Sequence, residues 1–203
     1  KKHVRDRLGL LGMLINVDTC KPIYLSTIIS DLNTEIQKDD AKLPLDLYLQ
    51  EVGKAKGKTL ISLESVDEQI AALNMMPLKI QADMLLEQIE NEGQEDEMGD
   101  KMIDFYVAQD LDSLLSLYYG QQDAVTEAFD DALVVQRNIN MANRMDTMMQ
   151  SQPTFTAVGA LHLPGEKGVL NLLQKKGYTV SPVYSMHPNN KPKPRLATQK
   201  TND

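Results

Sequence analysis

Phe155-Thr156-Ala157-Val158-Gly159-Ala160-Leu161-His162-Leu163-Pro164-Gly165 is the stretch on which the fold turns. Pro153 stops the helical pattern before it, and Thr154 to Gly159 is apolar, partly β-branched and too short for a helix, which predicts a buried strand. Gly165 to Lys176 has helical spacing of its leucines, Gly177 stands where helices end in a left-handed residue, and Tyr178 to Val183 predicts a final strand. This is a β-loop-α-β unit.

Working upstream, Lys58 to Leu63 again predicts a short buried strand. Ser65-Val66-Asp67-Glu68 has the hydroxyl-to-carboxylate spacing of a capping box, so a helix starts after it. Helical spacing also runs over Val4 to Ile15, Pro22 to Ile36, Leu45 to Ala55, Pro77 to about Glu92 and Lys101 to Gln150, with breaks at Gly93 to Gly99 and near Tyr119-Gly120. The expected fold is α/β: a mixed sheet with a large, predominantly helical middle region over about 66–150. One domain spans 1–186, and 187–203, rich in Pro, Asn and Lys, is a flexible polar tail.

The chain has 203 residues, 42% hydrophobic and 25% charged, enough for one sizeable core. A net charge of −8 without a Lys/Arg stripe disfavours nucleic acid as a partner. Cys20 is the single cysteine, so no internal disulfide forms. No apolar run reaches the roughly 18 residues of a membrane span. The chain opens on Lys1-Lys2-His3 and runs straight into a helical pattern, which reads as a piece of a longer precursor.

Ligands of open α/β sheets sit beyond the carboxyl ends of strands, where Glu64 and His162 both fall. Imidazole and carboxylate together suit Zn or Mn, yet a catalytic metal takes about three protein ligands. The plainer reading of Glu64 is a carboxylate at a helix start, and that of His162 a hydrogen-bonded structural residue. Arg137 and Asn138 interrupt a helix and offer a carboxylate partner and a two-way hydrogen-bonding group. A surface Arg is their ordinary alternative, and Arg144 reads as the plainer of the two arginines. Met141, Met145, Met148 and Met149 read as core filler. No Walker loop, dinucleotide fingerprint, Gly-x-Ser-x-Gly elbow or His-Glu-x-x-His motif is present.

The segment from Phe155 to Gly165, together with Gly168, Leu172, Leu173, Lys176, Gly177, Tyr178, Val180 and Val183, resembles the closing motif of the TraB/GumN family. Leu45 to Leu49, Ala55 to Lys58 and Leu63 to Gln69 are similar to that family's approach to its Glu, and Arg137 to Ala142 to its Arg-Asn helix motif. The wider set includes Tiki proteases and the erythromycin-esterase-like and ChaN-like proteins. The resemblance implies a site built from two Gly-x-x-His motifs, an acidic residue and an Arg/Asn pair.

Here Gly159 and His162 supply the second Gly-x-x-His motif, Glu64 the acid, and Arg137 and Asn138 the supporting groups; nothing in Lys1 to Asp40 matches the first motif. The resemblance implies a metal-dependent hydrolase, a peptidase in one form, with Glu64, His162, Arg137 and Asn138 catalytic. His162 and Glu64 would be ligands of a divalent Zn, Mn or Co, and a peptide or small molecule the substrate. The alternative is a non-catalytic binding or regulatory module that keeps the fold. The family's habit implies an extracytoplasmic location, in the periplasm, in the envelope or secreted.

Overall fold

The computed structural model describes residues 2–8, 15–33, 43–91, 97–120 and 129–183. Its elements are helices α1 (Lys2–Leu8), α2 (Pro22–Asn33), α3 (Leu45–Ala55), α4 (Val66–Asn74), α5 (Leu78–Glu90), α6 (Glu97–Val107) and α7 (Leu111–Gly120), then a π-turn (Asp131–Val135), α8 (Gln136–Met149), a 3-10 turn (Ala160–His162) and α9 (Val169–Lys175).

The expected α/β sheet is absent: among the described residues there is no strand. Residues 58–63, 154–159 and 178–183, where strands were expected, form no helix, and none pairs its backbone in a ladder. A strand exists only through a partner, and local apolar content cannot supply one. Each segment instead lies on helices, with Leu63, Val158, Tyr178 and Val180 packed against α8 and α9. Their other faces stay open, Phe155 being 79% and Ile61 55% exposed. The Gly165 to Lys176 helix is also shorter than its pattern suggests. Residues 163–168 form a tight turn in which a Cβ on Gly168 would lie 2.0 Å from the Pro164 carbonyl oxygen, so the helix begins only at Val169.

Local signals elsewhere match the structure. Pro22 opens α2, whose N-terminal turn needs no proline N–H. Gly57 and Gly177 adopt φ of +63° and +97°, the left-handed geometry expected at helix ends. Ser65 accepts from the Glu68 N–H while Glu68 reaches back to the Ser65 N–H, completing the capping box of α4. Ser65→Ala should lower stability by about 1 kcal/mol, read as a fall in the urea midpoint. An unchanged midpoint would show that the box contributes nothing. The break inside Lys101 to Gln150 that the pattern hid is at Gln109, whose φ is 58°, after which Asp110 accepts from the Ser113 N–H to start α7.

Two apolar cores form among the described residues. Val4, Leu8, Val17, Leu25, Ile29 and Leu85 join α1, α2 and α5. Buried Gln81 ties the last two of these helices to the loop before α5, accepting from the Ile23 N–H and donating to the Met76 carbonyl. Met141, Ala142, Met145, Val169 and Leu173 join α8 to α9, the core filling expected of Met141 and Met145. Tyr178 and Lys176 reach Asp146 at 2.8 and 3.2 Å, fastening the chain after α9 back onto α8. The expected tail, 187–203, and the expected break at Gly93 to Gly99, except its last residues, lie outside the described residues.

Candidate functional site

Helix α8 organises the site because two adjacent residues near its start reach in different directions. Arg137 Nε and Nη2 each donate to a Glu64 carboxylate oxygen at 2.8 Å, a two-pronged ion pair, and its Nη1 donates to the Leu133 carbonyl of the π-turn at 3.1 Å. The Glu64 side chain is only 6% exposed and that of Arg137 27%. Arg137 therefore holds the Glu64 carboxyl below its usual range; burial opposes the shift and is outweighed. Glu64 does not follow a strand, as its expected position required. It sits on the bend between the segment 58–63 and the Ser65 cap.

Asn138 is 2% exposed and makes two bonds that determine each other. Its Nδ2 donates to the Lys167 carbonyl at 3.0 Å, so its Oδ1 must be the end facing His162 Nδ1, at 2.7 Å. An amide oxygen only accepts, so His162 carries its proton on Nδ1 and leaves the Nε2 lone pair available. Burial, helped by the Arg137 charge and opposed by Glu64, lowers the His162 pKa, which keeps the ring neutral at pH 7. His162 ends the 3-10 turn Ala160–His162, rather than following a strand.

The four residues singled out from the sequence thus come together: Arg137 with Glu64, Asn138 with His162, and Glu64 and His162 close enough for each charge to act on the other. Glu68 and Arg144 were not anticipated. Arg144 donates to both Glu68 oxygens, at 2.6 and 3.0 Å, and to the carbonyl of Leu63, the residue preceding Glu64. Arg144, together with Ser65, holds the Glu68 carboxyl at about 2. Arg144 thereby clamps the bend that presents Glu64. The signal was spacing: Arg137 and Arg144 are two helical turns apart on one face, and Glu64 and Glu68 four residues apart opposite them.

Donor chemistry bears on a metal. Nε2 of His162 is a suitable donor, and Glu64, although paired to Arg137, keeps lone pairs because a two-pronged pair uses two of about four. Imidazole and carboxylate fit a divalent Zn, Mn or Co as part of its ligand set. Among the described residues, no three His, Cys, Asp or Glu side chains group to hold an ion.

Together the fold and the site define a class: a helical chain in which one helix positions an acid–arginine pair and an amide-oriented histidine at a shared centre. The model of the TraB/PrgY/gumN family matches residues 1–182, and the chain belongs to that family. It is similar to a metalloprotease TIKI homolog of Amphimedon queenslandica, 24% identical over 87% of this chain and 39% of that one. It is also similar to a metalloprotease TIKI homolog of Nematostella vectensis, 26% identical over 80% of this chain and 40% of the other, and to metalloprotease TIKI1 of Danio rerio, 26% identical over 81% and 39%. The chain spans about two fifths of the length of these relatives. No solved structure matches it. No helix among the described residues is long and apolar enough to cross a membrane.

Proposed function

We propose that this protein is a metal-dependent hydrolase acting on peptide or related carbonyl substrates. The observation that carries the proposal is the Asn138–His162 bond, because it frees the Nε2 lone pair of a neutral imidazole within electrostatic reach of a carboxylate held ionised by Arg137. The metalloprotease names of its relatives point the same way, across distant identities. His162 Nε2 and the remaining lone pairs of Glu64 are the ligands this chain offers a divalent Zn, Mn or Co. The metal, when bound, polarises a carbonyl and lowers the pKa of water.

Glu64 serves either as a ligand or as the proton-transfer group, and Arg137 either fixes its orientation or balances negative charge that develops on substrate oxygen. Asn138 keeps His162 in one tautomer. An extracytoplasmic compartment goes with this function in the family that the motifs resemble.

Metal content by mass spectrometry, in the wild-type chain and in His162→Ala after loading with Zn, Mn or Co and desalting, tests the proposal. The expected result is metal retained near one equivalent by the wild type and lost from the variant. No metal in either would overturn it and leave the binding-module alternative standing.

A further inference from the structure

A second feature adjoins the centre. Leu115 and Tyr119 of α7, Val134 and Val135 of the π-turn, Asn138 and Leu161 line a cavity of about 220 Å³, open to solvent and bordered by the turn 164–168. It is below the roughly 300–1,000 Å³ of pockets that take a drug-sized ligand, which leaves room for one side chain. The π-turn supplies Val134 and Val135 to the wall, and Asn138 joins them from the first turn of α8. Gly165, at φ +84°, keeps the opposite wall low; a Cβ there would stand 2.9 Å from Leu115 Cδ2.

The Asn138 amide and the Tyr119 hydroxyl on the wall are already engaged, while Glu166 and Lys167 of the lining turn are exposed to solvent. Both ends of the Asn138 amide are used, by Lys167 and His162, and the Tyr119 hydroxyl donates to Asp130 at 3.3 Å. A charged or strongly polar group passing beyond Glu166 and Lys167, against Leu115, Val134, Val135 and Leu161, would lose water without gaining a partner from them, whereas an apolar one loses nothing. The cavity also shares Asn138 with the centre, and Leu161 is the residue before His162.

We infer that this cavity is the specificity pocket of the centre and takes one apolar side chain of an amide substrate, leucine-like in size. This rests on the hydrolase reading for its role, but its ligand chemistry is testable without turnover. The experiment titrates the full chain, free of metal, with N-acetyl-leucine amide, N-acetyl-glycine amide and N-acetyl-aspartic acid amide, monitoring the methyl signals of Leu115, Val134 and Val135 by NMR.

The leucine amide should move these methyls saturably and bind roughly ten- to hundredfold tighter than the other two, the ratio that burial of a leucine side chain yields. Leu115→Trp, which fills the cavity, should abolish the shifts. If that variant does not fold, Val134→Ala, which widens the cavity, should reduce the leucine preference. Equal affinity for all three amides, or no methyl shift with the leucine amide, overturns the inference. Leucine selectivity in a chain that retains no metal would keep the pocket and overturn the hydrolase reading; retained metal without selectivity would do the reverse.

Discussion

Arg137→Met is expected to cost about 1–3 kcal/mol of folding stability, the loss expected when a part-buried carboxylate is left without its hydrogen-bond donors. The cause is Glu64, 6% exposed, which would keep its burial and lose both bonds from Arg137. The Leu133 carbonyl also loses its bond from Arg137, which loosens the π-turn.

The loss should depend on pH in a definite direction. In the wild type Arg137 lowers the Glu64 pKa, so the pairing stabilises fully above the unfolded carboxylate pKa of about 4.3 and is lost as pH falls through the lower folded value. Without Arg137, burial raises the Glu64 pKa, and the variant carries a penalty that grows as pH rises above the unfolded value. The difference between the two proteins is therefore largest near pH 7 and narrows toward pH 4. Urea denaturation at both pH values reads it. Glu64→Gln placed on top of Arg137→Met should recover part of the stability, and an equal loss at both pH values would show that Glu64 is not the group responsible.

Asn138→Ala carries the second large effect, a 10- to 100-fold loss of metal affinity on the proposed function, because the group that orients a ligand histidine is removed. Calorimetric titration of Zn into the purified chain measures it. Stability should fall as well, by about 1–3 kcal/mol, since the Lys167 carbonyl loses the donor that the fold provides for it. A spectroscopic readout separates orientation from simple destabilisation. Long-range proton–nitrogen NMR should show His162 as the Nδ1–H tautomer in the wild type and as a mixture in the variant; an Nε2–H tautomer in the wild type would sink the assignment. The lowered His162 pKa sets a further sign: the folded chain binds this proton later than the unfolded one, so His162 makes stability fall as pH drops below about 6.5.

The residues of the centre were legible as types before their arrangement was. Glu64, Arg137, Asn138 and His162 stand out through the family motifs they match, since read locally a carboxylate at a helix start, a surface Arg and a structural His are the plainer readings. Arg144 did not stand out, because an arginine in a helix is ordinary. Its part in the clamp depends on Glu68, 76 residues away, and on the Leu63 carbonyl.

The sequence by itself determined the family, the bounds of α3, the proline start of α2, the capping box of α4 and the glycine ends at Gly57 and Gly177. Each of these is a short-range matter, settled by φ preferences, a cap bond or spacing within a few turns. Only the tertiary structure decided that the three apolar segments would lie on helices rather than pair as a sheet. It alone decided that Arg137 would meet a carboxylate 73 residues earlier, and that an amide bonded to the Lys167 carbonyl would select the tautomer of His162. Those outcomes depend on which distant groups share a desolvated space, and a local pattern carries no record of its partner.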